Sequence, residues 1–223
     1  MENLTKKAAF FDFDRTLISS HSQRIIAQRL WHIGQLPWNL FFSIFLWLQL
    51  HQLDLIPHSS GVFQRAYFFL KGTKVAQLQK ILQELVREKI MEEMFPGGYQ
   101  KIRELQEKGY EVGIVSASIE PLIQLVAKEL NLSFALGTKL KEEKGFYTGE
   151  VEGEIMYGSA KVAAIKRLSQ NRHWDLKESY AFSDNFSDLP LLKAVGHPVV
   201  ISPSWRLRKK AEKLHWPIYN WGK

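Results

Sequence analysis

Apolar residues run along this chain in two rhythms. Short continuous runs occur at AAFFDFD (residues 8–14), YEVGIVSAS (110–118), SYAFSD (179–184) and HPVVIS (197–202). Their length and their β-branched or aromatic content predict buried strands. Between and after them, helical spacing predicts helices over 98–108, 120–131, 159–170, 188–195 and 204–214, the first of which Gly109 would stop. Strands alternating with helices predict an α/β core, a mainly parallel sheet with helices on its faces.

The first strand stands apart from the second by some ninety residues with almost no strand pattern. Residues 19–92 read instead as several helices, broken near Gly34–Pro37, Ile56–Ser60 and Gly72–Thr73. The organisation expected is a core of residues 1–18 and 93–223 with an inserted helical cap of residues 19–92. The stretch LKEEKGFYTGEVEGEI (140–155), punctuated by Gly145 and Gly149, predicts a small hairpin beside the sheet.

One cap segment, LPWNLFFSIFLWLQL (36–50), is the most apolar of the chain. Asn39, Ser43 and Gln49 punctuate it, and it falls short of the ~20 apolar residues that a spanning helix needs. Two readings stand: a helix buried in the cap or in a dimer interface, or a helix lying on a membrane surface.

The formal net charge of +7 admits nucleic acid, an anionic membrane or a small anionic substrate as partner. The basic cluster RLRKKAEK (206–213) reads as a solvated helix face, and no nucleic-acid recognition motif accompanies it. The absence of cysteine excludes a disulfide scaffold, a thiolate metal site and a cysteine nucleophile. Asp12 and Asp14 interrupt the first apolar run too early for a secretory leader, so the expected location is cytoplasmic, with peripheral contact to the inner face of the membrane as an extension.

Candidate chemistry gathers where strand-like runs end, the place where open α/β sheets bind ligands. Asp12 and Asp14 follow the first run, Ser116 the second, and Asp184 and Asp188 (in SDNFSD) the third, while Lys161 opens a helix. Each has an ordinary alternative. A DxD pair occurs in surface turns, Ser116 or Asp188 would serve as a helix cap, and Lys161 as a solvated lysine. Taken together they supply a carboxylate nucleophile, hard oxygen ligands for a divalent cation, and a lysine and hydroxyl for phosphoryl oxygens.

DFDRTL resembles the first motif of the haloacid dehalogenase superfamily, and Ser116, Lys161 and SDNFSD resemble its second, third and fourth motifs in order. The helical insertion after the first motif is similar to that of the subfamily containing phosphoserine phosphatases. The resemblance implies a Rossmann-like three-layer core and a Mg²⁺-dependent phosphatase acting through a phosphoaspartate. It implies that Asp12 is the nucleophile and that Asp14 is the acid and base, with Thr16 steadying Asp14 and its loop and counted with the phosphate-binding residues. Ser116 and Ala117 would bind the phosphoryl group, and Lys161 would neutralise it. Asp12, Asp14 (through its carbonyl) and Asp184 would hold Mg²⁺, with Asp188 behind them fixing a water or Lys161.

Two departures separate the chain from phosphoserine phosphatase proper. His21 stands where those enzymes place a glutamate for the substrate's amino group, and SASIEP replaces a glycine-rich turn after the second motif. Arg65 lies near the position of a cap arginine that grips a carboxylate. Arg15 stands where a small residue is common, its guanidinium aimed either at phosphate or at solvent. The partner expected is a small phosphorylated substrate, handled by a monomer or homodimer. A lipid phosphate, admitted by the apolar cap, is the alternative, and a non-catalytic membrane-surface adaptor is a third reading.

Overall fold

The computed structural model describes residues 6–52 and 65–221, with the side chains of 47–52, 65 and 66 outside the description. Strand β1 is Ala8–Phe11, followed by helices α1 (Ser22–His32) and α2 (Trp38–Gln52), a 3₁₀ turn (Arg65–Leu70) and α3 (Val75–Leu85). Next come α4 (Pro96–Glu107), β2 (Glu111–Ile119), α5 (Glu120–Glu129), β3 (Phe134–Thr138) and the pair β4 (Leu140–Glu143) and β5 (Phe146–Val151). The chain continues with α6 (Ser159–Arg172), β6 (Tyr180–Ser183), α7 (Leu189–Lys193), β7 (His197–Ile201), α8 (Trp205–Lys213) and β8 (Ile218–Tyr219).

The main sheet has six strands in the order β3-β2-β1-β6-β7-β8, and every pairing is parallel. Strand β1 is therefore central. Its four residues AAFF are fully buried, which is why it reads as a continuous apolar run and not as an alternating one. Phe10 packs on Phe134 and Trp174 on one side of the sheet, and Phe11 stacks on Phe182 at 4.3 Å on the other. Burying each such ring contributes about 1.5–3 kcal/mol.

Sequence patterning foresaw four of the six strands. Strand β3 was not expected, because FALGT is short and contains Gly137. That glycine is required by close approach, since a Cβ there would lie 2.5 Å from Cα of Glu120 at the start of α5. Strand β8 has two residues, too few to carry a pattern. The first apolar run also ends sooner than expected: the strand stops at Phe11, and the N–H groups of Thr16, Leu17 and Ile18 all turn back to the carbonyl of Phe13. Strands β4 and β5 form an antiparallel hairpin outside the main sheet.

Over its described side chains, residues 38–46, helix α2 is only half buried. Leu40, Phe41 and Ile44 pack on the core, and Phe41 stacks on Trp31 at 5.0 Å. Trp38, Phe42 and Leu46, on the other face at spacings of four, are 71%, 62% and 56% exposed. Burial within the cap alone is thus corrected: the chain carries an open apolar stripe, a face of the kind that a dimer interface or a membrane surface would cover. Among the described residues no helix is long and apolar enough to cross a membrane.

Candidate active site

The carboxyl end of β1 supplies the first carboxylate. The Asp12 N–H donates to the Phe182 carbonyl at 2.9 Å, extending the β1–β6 pairing one residue past the strand and fixing Asp12 at the sheet's edge. Arg15 then takes φ 61°, a left-handed conformation that reverses the chain. That conformation suits glycine best and is the physical reason a small residue would serve at this position.

A pocket at this edge is lined by Asp12, Asp14, Ser116, Ala117, Lys161, Asp184 and Asp188. Arg15, His21, Gln23, Tyr157, Asn185 and Ser187 complete its wall. Lys161, buried in the first turn of α6, donates to Asp12 Oδ1 and Asp188 Oδ2, both at 2.8 Å. Ser183 donates to the same Asp188 oxygen at 2.7 Å. Residues that sequence alone spread over 177 positions (12–188) therefore share one cavity.

Thr16 departs from its expected part. It is fully buried and absent from the pocket wall, and its hydroxyl lies 3.4 Å from Asp12 Oδ2 and 3.3 Å from Asp184 Oδ1. It also accepts the Asp184 N–H at 3.1 Å, so it ties the loop after β1 to the end of β6, while the carboxylate of Asp14 is held from elsewhere. Asp14 is held by Ser22, which donates its N–H at 2.7 Å and its hydroxyl at 2.9 Å. The Ser22 hydroxyl also meets that of Ser118 at 2.7 Å.

Arg15 is 37% exposed, yet its Nε lies 3.7 Å from Asp184 Oδ2, so the guanidinium faces the pocket's acid and not open solvent alone. Asn185 Oδ1 accepts the Ser187 N–H at 2.9 Å and shapes the turn that carries Asp188. The side chain of Arg65 lies outside the described residues. Ser22 and Gln23 escaped the sequence reading because no motif spacing marks them, and Ser183, inside SDNFSD, was given no role there. The only local signal was Ser22 at the start of a helix.

Burial dominates the electrostatics. It pushes Asp12 up to about 6, against the pull of Lys161 and with the help of the Asp188 charge. It pushes Asp14 up to about 7, opposed by the Ser22 hydrogen bonds. Asp184 is raised well above the carboxylate range by burial and then by the charge of Asp12, with Arg15 opposing. Burial would lower Lys161, but Asp12 and Asp188 outweigh it and the ammonium is raised.

Four carboxylates thus face one lysine and one half-exposed arginine, an excess of negative charge made of hard oxygen donors. Asp188 Oδ1 is buried with no hydrogen-bond partner. Among the described residues no three His, Asp or Glu side chains form a ready-made metal cluster. Mg²⁺ does not need one, since it is commonly held by one or two carboxylates and retains several waters. The donor set fits that ion.

Against known proteins, residues 9–193 match the family model described as haloacid dehalogenase-like hydrolase. The chain is 32% identical over 221 residues to phosphoserine phosphatase SerB1 of Mycobacterium tuberculosis, covering 95% of this chain and 70% of that protein. It is 30% identical over 220 residues to a probable phosphatase of the same organism, covering 98% of this chain and 76% of the relative. Among solved structures, a Bordetella pertussis protein of unknown function superposes with a TM-score of 0.84 at 22% identity, over 96% of this chain and 98% of that one. A phosphoserine phosphatase solved as a phospho-aspartyl intermediate analogue superposes at 0.75 and 20% identity, over 98% and 95%.

The chain belongs to the haloacid dehalogenase-like hydrolase family. Within it, the chain is of the phosphatase type and is phosphoserine phosphatase-like.

Proposed function

We propose that this chain is a Mg²⁺-dependent phosphomonoesterase in which Asp12 is the nucleophile. The observation that carries the reading is the 2.8 Å contact of Lys161 with Asp12, in a pocket that Asp14 also lines. Lys161 neutralises both the nucleophile and the incoming phosphoryl oxygens, while the Ser116 hydroxyl and the Ala117 N–H hold the remaining oxygens. Asp12, Asp184 and the Asp14 carbonyl would hold Mg²⁺, with Asp188 behind. When bound, the ion offsets phosphoryl charge so that an anionic nucleophile can approach.

In the first half-reaction a carboxylate oxygen of Asp12 attacks phosphorus, the ester P–O bond breaks, and the departing alkoxide takes the proton carried by Asp14. An Asp14 raised to about 7 carries that proton near neutrality. In the second, Asp14 takes a proton from water, whose oxygen attacks the phosphoaspartate. The P–O bond to Asp12 then breaks and phosphate leaves. Residues 19–92 act as a cap that covers the pocket.

The substrate is a phosphomonoester, like that of phosphoserine phosphatases, but His21 on the pocket wall offers no carboxylate to a substrate ammonium. The exposed stripe of Trp38, Phe42 and Leu46 favours a second reading, a lipid phosphate taken at a membrane surface. Retention of every acidic group and of Lys161 disfavours a non-catalytic adaptor. The test is turnover of an aryl phosphate with Mg²⁺. Asp12→Asn should abolish it with the fold intact, and substantial residual activity in pure protein would overturn the assignment. A phosphate-release screen over phosphoserine, sugar, nucleotide, polyol and lipid phosphates then separates the two readings.

A further inference from the structure

Ala117 sits where the β2–β3 pairing fails. Partners run to Val115↔Leu136 and resume only at Ile119↔Thr138, so residues 116–118 have no regular neighbour on β3. A buried carbonyl there needs another donor. The Ala117 carbonyl has two: the Thr138 hydroxyl at 2.8 Å and the phenol of Tyr67. Tyr67 is fully buried and comes from the 3₁₀ turn, in the segment between β1 and β2.

The same peptide unit has a second end. The Ala117 carbonyl and the Ser118 N–H belong to one rigid amide plane. That N–H donates to the Ser116 hydroxyl oxygen at 3.1 Å, which leaves the Ser116 hydrogen to be given to a phosphoryl oxygen. A donor that pins the carbonyl end thereby sets the aim of the Ser116 hydroxyl. Burial, with the Asp14 charge adding to it, pushes the Tyr67 phenol up to about 12, so it remains a donor throughout the working range.

Tyr67 is itself held in place from outside the site. The β4–β5 hairpin takes the residues after the 3₁₀ turn into its own pairing. The Gly72 N–H donates to the Tyr147 carbonyl at 2.9 Å, the Tyr147 N–H to the Thr73 carbonyl at 3.0 Å, and the Val75 N–H to the Gly145 carbonyl at 3.0 Å. Nothing in the chemistry otherwise uses this hairpin.

We propose that Tyr67 is a positioning residue for phosphate binding, acting through the Ala117–Ser118 peptide on Ser116, with the β4–β5 hairpin as its support. The inference rests on the reading of Ser116 and Ala117 as phosphoryl-binding groups.

The test is Tyr67→Phe, which keeps the ring and removes the hydroxyl. Thr138 still satisfies the carbonyl, so the fold should survive. The KM for an aryl phosphate and the competitive Ki of inorganic phosphate should both rise about fivefold or more, the effect of one ordinary hydrogen bond. The kcat should change less than these. Thr138→Val, which removes the other donor to the same oxygen, should move KM and Ki the same way. It supplies the reading if the tyrosine variant does not fold. Because both hydroxyls act on one atom, the double variant should lose more than the product of the single effects. An active parent with KM and Ki within about twofold of it in both variants overturns this inference alone. So does a fall in melting temperature with Ki unmoved, which would mark a purely structural role. A parent with no phosphatase activity overturns the reading of the pocket and this inference together.

Discussion

Ser22 grips both carboxylate oxygens of Asp14, one through its backbone N–H at 2.7 Å and the other through its hydroxyl at 2.9 Å. Because Ser22 opens α1, the proposed proton donor is tied to the first helix beyond β1, and through the Ser22–Ser118 hydroxyl contact to β2. These bonds hold the Asp14 pKa below where burial alone would place it. Ser22→Ala should therefore raise it further, moving the alkaline limb of the kcat–pH profile, where the proton donor is lost, to higher pH. It should also lower kcat by about tenfold, since a hydrogen bond to a charged group contributes about 1.5–3 kcal/mol. Ser22→Thr keeps the hydroxyl and should restore both. An unmoved limb in Ser22→Ala would detach Asp14 from proton transfer.

Lys161→Met removes the single buried cation between Asp12 and Asp188. Breaking one side of a buried ion pair costs about 3–5 kcal/mol, and about 2–4 °C of melting temperature accompanies each kcal/mol in a chain of this size. The loss should depend on pH. Without Lys161 the Asp12 pKa in the folded state rises above its present value of about 6, while its unfolded value stays at the ordinary one. Stability held at low pH is then lost as pH rises through the folded pKa. Melting curves should show a larger deficit against the parent at pH 8 than at pH 5.

Glu111 has the opposite sign. Burial would raise it, but the Arg172 and Lys6 contacts at 2.7 and 3.0 Å outweigh burial and hold it below the usual range. Its contribution is present above the unfolded pKa and lost as pH falls through the folded one. Glu111→Gln should cost about 1 kcal/mol at pH 7 in a denaturant titration, since its partners are partly exposed. The deficit should shrink as pH falls below the ordinary glutamate range and through the lowered folded pKa.

Arg15 carries two separable effects, its left-handed backbone and its approach to Asp184. Arg15→Gly relieves the first and Arg15→Ala does not, so the alanine variant should be less stable than the glycine variant by about 1 kcal/mol. If the guanidinium touches bound phosphate, both variants should raise the KM of an aryl phosphate equally. A KM unchanged in both would confine Arg15 to its contact with Asp184.

The apolar stripe on α2 makes a prediction about surfaces. Trp38→Ser with Phe42→Ser removes exposed rings, so activity on a soluble aryl phosphate should stay within about twofold, as exposed positions normally allow. Flotation with vesicles of anionic phospholipid should fall in the double variant if the stripe lies on lipid. Parent protein that fails to float would end the lipid-surface reading.

Much of this architecture was readable before any coordinates. The fully buried β1 wrote itself as AAFF, and the carboxylates and Lys161 stand where strands end and helices begin, with Ser116 where the β2–β3 pairing breaks, all at ends of apolar runs that local pattern can mark. What stayed hidden depends on contacts distant in sequence. Thr16 meets Asp184 across 168 residues and Tyr67 meets Ala117 across 50, and neither spacing leaves a trace in a linear pattern. Strand β3 was missed for a related reason. Its Gly137 is dictated by the backbone of α5 passing over it, not by strand propensity. The exposed side of α2 was also hidden, because an all-round apolar helix gives no sign of which face the core will take.

The strand order β3-β2-β1-β6-β7-β8 has a bearing on how the molecule comes into being. Of the six strands β1, which Asp12 follows, is made before the others, and its two neighbours arrive only with residues 111–119 and 180–183. Until then an intensely apolar ribbon has no sheet to join, the circumstance in which nascent chains call on chaperones. No fragment ending before residue 188 can hold both sides of the pocket, so the centre cannot assemble until β6 and the turn that follows it have joined β1.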